Sequence, residues 1–220
     1  MFTQGGGVDK VSVLIRCKNE ERWIGHAIQS AIDFFPDCQI VINDNHSTDD
    51  SMEIVKMFET WHDIEMLTID DYSPGRSLNQ AVERAKYDKI LILSSHCVIK
   101  EFDYDVFNRL EYYVAVFGKQ IPIYRGRKIN KRYIWSHFVD NDEVVNMHSE
   151  IENRYFLHNA FCIYDKKVLL ENKFDEHLFG KEDRYWAKDM VEGGKNFLYS
   201  PDMVCEHHWT PNGATWKGIG

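Results

Sequence analysis

Short apolar runs alternate with amphipathic stretches over the first ~95 residues, and their periods predict alternating strands and helices. Residues 11–15 read as a buried strand. In residues 20–35, Trp23, Ala27, Ile28, Ala31, Phe34 and Phe35 fall on one face at three- and four-residue spacing, which predicts a helix that Pro36 ends. A strand over 39–42, a helix over 49–61 capped by Ser47 or Thr48, and a strand over 64–69 follow. Pro74-Gly75 opens a helix to about residue 86, and 89–93 is a fourth strand. Connections this short between strand and helix imply right-handed crossovers into a parallel sheet.

Beyond residue 96 the pattern loosens. Residues 103–114 read as helical, and 114–123 have strand character broken by Gly118 and Pro122. The basic, aromatic stretch 125–138 is expected to form a mobile helix or lid. A strand over 161–164, a short helix over 166–170, and a helix over 181–191 ended by Gly193-Gly194 come next. Two short strands, 197–199 and 203–205, precede a loop-like tail over 209–220.

Polar clusters sit where these apolar runs stop. Asp44-Asn45-His46-Ser47-Thr48-Asp49 follows Ile40-Val41-Ile42, and Ser94-Ser95-His96 follows Ile90-Leu91-Ile92-Leu93. Glu182-Asp183 opens an amphipathic segment, and Glu206-His207-His208 follows Met203-Val204. Ligands bind beyond the carboxyl ends of strands in open α/β sheets, so these clusters are expected to share one site suited to a nucleotide and a metal. Each has a plainer reading. Asp, Asn, Ser and Thr serve turns and caps, although a carboxylate such as Asp44 can also accept a base N–H. Acids in a first helical turn favour the helix dipole, and a histidine pair beside Trp209 can be structural. Two imidazoles, His96 with one from His207-His208, could also hold a divalent cation alongside phosphate oxygens. Arg76, near Asn79, can reach a phosphate or bind a carboxylate. Arg125, Arg127, Lys128, Lys131 and Arg132 form either a solvated face or a contact for an acidic acceptor or a diphosphate.

A chain of 220 residues suits one well-buried core. The formal net charge of −9 argues against a nucleic-acid surface, which needs a basic stripe. A nucleotide remains compatible with it, since a pocket cation can neutralise phosphates. No apolar run approaches the ~20 residues of a transmembrane helix, and no signal peptide is evident, with Gly5-Gly6-Gly7 read as a frayed tail. Cys17, Cys38, Cys97, Cys162 and Cys205 are scattered without a Cys-x-x-Cys pair, so a reduced, cytoplasmic protein is expected.

Taken in order, five segments resemble the family 2 glycosyltransferases, whose fold is GT-A. The run from Val11 to Glu20 is similar to the family's first strand and its Asn-Glu turn, and Asp44-Asn45-His46-Ser47-Thr48-Asp49 to its Asp-Asp-Gly-Ser-Thr-Asp loop. Gly75-Arg76-Ser77-Leu78-Asn79 resembles its Gly-to-Asn helix, and Phe174-Asp175-Glu176 followed by Glu182-Asp183 its acidic pattern. The resemblance implies a single GT-A domain over 1–220, mostly parallel in its central sheet with helices on both faces. A Rossmann-like nucleotide-sugar half would span 8–100, and a variable acceptor-binding and catalytic half 101–220. It implies an inverting transferase moving sugar from a nucleoside diphosphate donor to an acceptor hydroxyl, of glycan or another kind, in polysaccharide assembly. Asp183 would be the general base with Glu182 beside it. Asp44 would bind the base, and Arg16, Cys17, Glu20, Arg76, Asn79, Ser94 and Ser95 would contribute to the donor site. One departure is plain: the family's Asp-x-Asp metal motif appears here as Ser94-Ser95-His96. A related Asp-x-His form, with a downstream His, occurs in the polypeptide N-acetylgalactosaminyltransferases. His96 with His207 or His208 is therefore the expected metal set, and imidazole ligands favour manganese or a later transition ion over magnesium. The alternatives are a nucleotidyltransferase and a catalytically silent sugar-nucleotide-binding domain, the latter suggested by the missing carboxylates.

Overall fold

The structure, a computed structural model, describes residues 10–129, 141–150, 153–211 and 213. Its first half follows the apolar periodicity: β1 (Val11–Cys17), α1 (Ile24–Phe34), β2 (Gln39–Asp44), α2 (Ser51–Glu59), β3 (Ile64–Thr68), α3 (Pro74–Arg84) and β4 (Lys89–Leu93). β3, β2, β1 and β4 lie side by side in that order, all parallel. Successive side chains of a strand point to opposite faces, so each central strand feeds two cores. Val13, Ile15, Ile40, Ile42 and Leu91 pack with α1 and with Val55 of α2, whereas Leu14, Val41, Ile90 and Ile92 pack against Leu78, Ala81 and Val82 of α3.

After β4 come β5 (Cys97–Glu101), α4 (Val106–Arg109), β6 (Ala115–Tyr124), β7 (Arg127–Lys128), β8 (Val144–Val145), β9 (His148–Ser149) and β10 (Arg154–Tyr155). β11 (Phe161–Asp165), α5 (Lys166–Glu171), α6 (Glu182–Glu192) and β12 (Leu198–His208) complete the described chain. The sheet continues past β4 as β11, β6, β12 and β5. β6 and β12 run the same way as β1 to β4, while β11 and β5 run the other way. Trp186, Ala187 and Met190 of α6 join the core on the α3 face.

Several expectations for the second half are corrected. Residues 103–114 form only the single turn α4. Asp103 accepts the Asp105 N–H at 3.0 Å, and Val114 N–H is drawn to Asn196 O at 2.8 Å, so the sheet claims the chain that local propensity offered to a helix. β5 adds a strand beyond the expected set. It begins after a tight turn in which Cys97 N–H donates to Ser94 O at 2.9 Å. Gly118 and Pro122 do not break β6. An added Cβ at Gly118 would stand 2.5 Å from Met203 O and 2.7 Å from Phe161 Cδ1, so glycine is what lets β6 approach its neighbours. Residues 198–199 and 203–205 belong to one strand, β12, whose register with β6 shifts between Ser200 and Val204, where Pro201 can donate no ladder hydrogen bond. Neither Ser47 nor Thr48 caps α2: Ser47 turns to Asp44, and Thr48 N–H donates to Asn19 Oδ1. Of the stretch 125–138, the described part up to 129 is a hairpin arm and the remainder lies outside the described residues, as do Gly5 to Gly7. No helix among the described residues is long and apolar enough to cross a membrane.

Gly118→Ala is expected to destabilise the fold by about 1–3 kcal/mol, the usual cost of overpacking. Urea unfolding should show a lowered midpoint with an unchanged slope.

Candidate active site

Because β1, β2, β4, β6 and β12 share one direction, their carboxyl ends share one edge of the sheet. That edge receives Arg16 and Cys17 from β1, Asp44 from β2, Ser94-Ser95-His96 after β4, and His207-His208 from β12. Positions scattered in sequence become neighbours through strand direction alone.

On the β1–β2 side, Asp44 is buried and accepts both the Ser47 N–H at 2.9 Å and the Ser47 hydroxyl at 2.5 Å. Ser47 Oγ also accepts the Asn19 N–H at 2.9 Å, and Ser51 Oγ accepts the Glu20 N–H at 2.7 Å. The two loops are thereby knitted together, with Asn19 held left-handed at φ 53°. Turn chemistry is realised here, and Asp44 anchors it at the strand end. Burial pushes the Cys17 thiol up to about 12, so it sits there as a neutral group.

Glu20 links this side to the histidines. Its Oε1 lies 3.3 Å from His96 Nδ1 and accepts the Thr210 hydroxyl at 3.2 Å. The His96 and His207 rings are 4.9 Å apart, and His207 Nδ1 is hydrogen-bonded to Gln120 Oε1. His208 is directed elsewhere. Its backbone N–H donates to His96 O at 2.9 Å, but its ring stacks on Trp23 at 3.9 Å and its Nε2 faces Glu206 at 3.6 Å. Of the two C-terminal imidazoles, His207 therefore meets His96. Among the described residues, no three His, Cys, Asp or Glu side chains converge as a ready cation cage.

The acidic pair arrives from α6. Lys181 at φ 65° turns the chain into the helix, and Arg16 Nη1 meets Glu182 Oε1 at 2.9 Å. Burial alone would lower the Arg16 pKa, but nearby groups together, Glu182 first among them, leave the net shift upward. Asp183 accepts the Asn159 N–H at 3.2 Å and the Arg184 N–H at 2.8 Å. Burial first, and the adjacent Glu182 charge second, push the Asp183 carboxyl up to about 8. Ala160 O accepts the Ser94 N–H at 2.9 Å, so the Asn159 segment that holds Asp183 also borders the end of β4.

Arg76 and Asn79 are engaged differently. They line a cavity of about 370 Å³ with Thr68, Asp70, Asp71 and Glu176. Arg76 Nε reaches Glu176 at 3.2 Å and its Nη1 reaches Asp71. Asn79 donates to Phe174 O and Glu176 Oε1 and accepts the Phe174 N–H, so its amide clamps the 174–176 segment to α3. Gln120, Asn159, Trp23 and Thr210 escaped the sequence reading. Gln120 offered one signal, a buried amide in an otherwise apolar strand. Asn159 and Thr210 offered none, and Trp23 read as core.

Residues 12–176 match the model of the family described as Glycosyl transferase family 2. The chain belongs to that family. A curated relative, the poly-beta-1,6-N-acetyl-D-glucosamine synthase of Staphylococcus epidermidis, is 25% identical over 96 residues, which are 43% of this chain and 23% of the relative. Among solved structures, S. aureus TarS 1–349 in complex with UDP-GlcNAc aligns with a TM-score of 0.69 and 19% identity, over 96% of this chain and 62% of that one. The same TarS fragment with UDP aligns at 0.67 and 20% identity, over 92% and 61%. At these identities the likeness shows the fold, an α/β sheet of GT-A type. The chain spans less than two thirds of the length of each of these proteins.

Arg16→Met should cost about 3 kcal/mol, at the low end for breaking a buried pair, since Arg16 is 23% exposed; chemical denaturation measures it. The folded chain holds the Asp183 proton more tightly than the unfolded chain does. Stability contributed by this group is thus full at acid pH and falls as pH rises from the ordinary carboxylate range to about 8. Asp183→Asn should flatten that slope in melting temperatures recorded from pH 5 to 9.

Proposed function

We propose that this domain transfers a sugar, with inversion, from a nucleoside diphosphate donor to an acceptor hydroxyl, with Asp183 as general base. The observation that carries this reading is a proton-holding carboxyl at the start of α6, on the same sheet edge as Asp44 and the His96–His207 pair. A base with its pKa near the working pH both occupies its deprotonated form and accepts a proton readily. The Asn159 and Arg184 N–H groups orient the Asp183 carboxylate, and Arg16 offsets the charge of Glu182 beside it. Asp44 retains acceptor capacity for a base N–H beyond its bonds to Ser47, with Cys17 and Glu20 bordering the nucleoside. Attack from the Asp183 side displaces the diphosphate directly and inverts the anomeric centre.

The imidazoles suit a divalent cation. His207 hydrogen-bonds Gln120 Oε1 through Nδ1, which leaves Nε2 as the basic nitrogen of that ring, and His96 Nδ1 lies 3.3 Å from Glu20 Oε1. His96 and His207 would hold the ion together with donor phosphate oxygens, and this nitrogen set favours manganese over magnesium. Bound there, the ion would offset charge on the departing nucleoside diphosphate. UDP and UDP-GlcNAc in the TarS complexes, and the N-acetylglucosamine polymer named for the curated relative, support UDP-N-acetylhexosamine as the first donor to test, with a glycan as acceptor.

With UDP-GlcNAc and manganese, UDP release should be detected, rising with pH through about 8 before levelling. Asp183→Asn should lower turnover by about 10²–10⁴-fold while UDP binding by calorimetry persists. Undiminished turnover removes Asp183 as base. Pyrophosphate release instead of UDP would favour nucleotidyl transfer, and donor binding without product over a panel of donors and acceptors would favour a silent binding domain. His96→Ala should abolish the manganese-dependent part of UDP binding and leave the metal-free part unchanged; retention of both discards the cation role.

A further inference from the structure

β6 and β7 form a hairpin with Ile123 paired to Lys128 and Tyr124 to Arg127. Its two loop residues, Arg125 and Gly126, both have positive φ, 48° and 78°, as the tight I′ turn between twisted strands requires. The result is a rigid tip carrying three cations in four residues on a chain of net charge −9. Arg125, Arg127 and Lys128 are all exposed, and none meets a carboxylate among the described residues. By contrast, Arg76, Arg84, Lys86 and Arg109 each contact an acid. Arg125 instead lies over the Tyr124 ring at 5.2 Å, which leaves the edge of its guanidinium available to an anion.

The tip stands beside the candidate active site. Trp209 N–H donates to Ile123 O at 2.8 Å, and the Trp209 and Tyr124 rings meet edge-on at 5.6 Å. The next residue, Thr210, bonds the same Glu20 oxygen that faces His96. Crowding like charges on one tip is unfavourable without a partner, and a neutral acceptor would not call for it. Guanidinium forks match phosphate oxygens in pairs. An acidic protein repels a polyanion over most of its surface, so an attractive tip at the crevice would also orient the approach.

We propose that the β6–β7 hairpin binds the acceptor, and that the acceptor is a glycan chain bearing phosphate groups. This rests on the reading of the neighbouring crevice as a glycosyl-transfer site. The test uses the whole chain with fluorescein-labelled linear polyphosphate as the anion probe, a neutral chito-oligosaccharide, vesicles containing phosphatidylglycerol, and UDP with manganese. In Arg125→Gln/Arg127→Gln/Lys128→Gln, polyphosphate affinity should fall more than tenfold. The slope of log affinity against log salt should shrink by about two, near 0.7 for each cation lost. Melting temperature and UDP affinity should stay at wild-type values, and saturating UDP should not displace polyphosphate. Equal polyphosphate affinity in both proteins overturns the proposal. Displacement by UDP would assign the tip to the donor diphosphate, and vesicle binding lost in the variant without any polyphosphate binding would assign it to a membrane surface; either overturns it. Failure of both proteins to bind UDP, with hairpin-dependent polyphosphate binding intact, would instead strike the crevice reading alone.

Discussion

The ion pair between Arg16 and Glu182 joins residues 166 apart and makes the candidate site a single place. Arg16 lies one residue before the end of the first strand, and Glu182 opens a helix whose other buried residues pack on the α3 side of the sheet. Glu182 is buried, so leaving it without Arg16 would be costly. Asp183 inherits its position from this constraint, and burial together with the nearby Glu182 charge keeps its proton. The ion pair thus locates the proposed base, while burial first and the Glu182 charge second raise its pKa against the lowering effect of Arg16.

A second tie closes the other side. β12 runs beside β6 to the sheet edge and delivers His207 against His96, while Thr210 just beyond it reaches back to Glu20. Glu20 is then shared between a histidine of the β4–β5 turn and a threonine of the C-terminal segment. The His208 stack on Trp23 fixes the same segment to the front of α1. The β6–β7 hairpin extends this assembly outward through Trp209, which places exposed charge next to a buried interior. Donor chemistry and acceptor recognition would in this way rest on adjacent ends of two paired strands.

Legibility varied with the range of the forces involved. Strands β1, β2 and β4 and helices α1 and α3 were readable because each carries its own apolar period and its own stop, such as Pro36 or the Ser73-Pro74 start. The clusters at Asp44, His96 and Glu182 stood out because polar residues directly follow buried strands or open a helix, although turns, caps and the helix dipole use the same residue types. β5 and the full length of β12 were not readable, because short mixed segments become strands only when a neighbour supplies the ladder. The same holds for 103–114, where pairing near Asn196 overrode helical periodicity.

Local periodicity and the order of the motifs determined the alternating α/β architecture, the family resemblance and the residues worth watching, since these depend on interactions within a few positions of the chain. Tertiary structure alone decided that His207 rather than His208 meets His96, that the Asn79 amide clamps the 174–176 segment, and that Asp183 holds its proton. Those outcomes depend on which groups are brought together across the sheet edge and on how far water is excluded there, quantities that no stretch of sequence carries by itself.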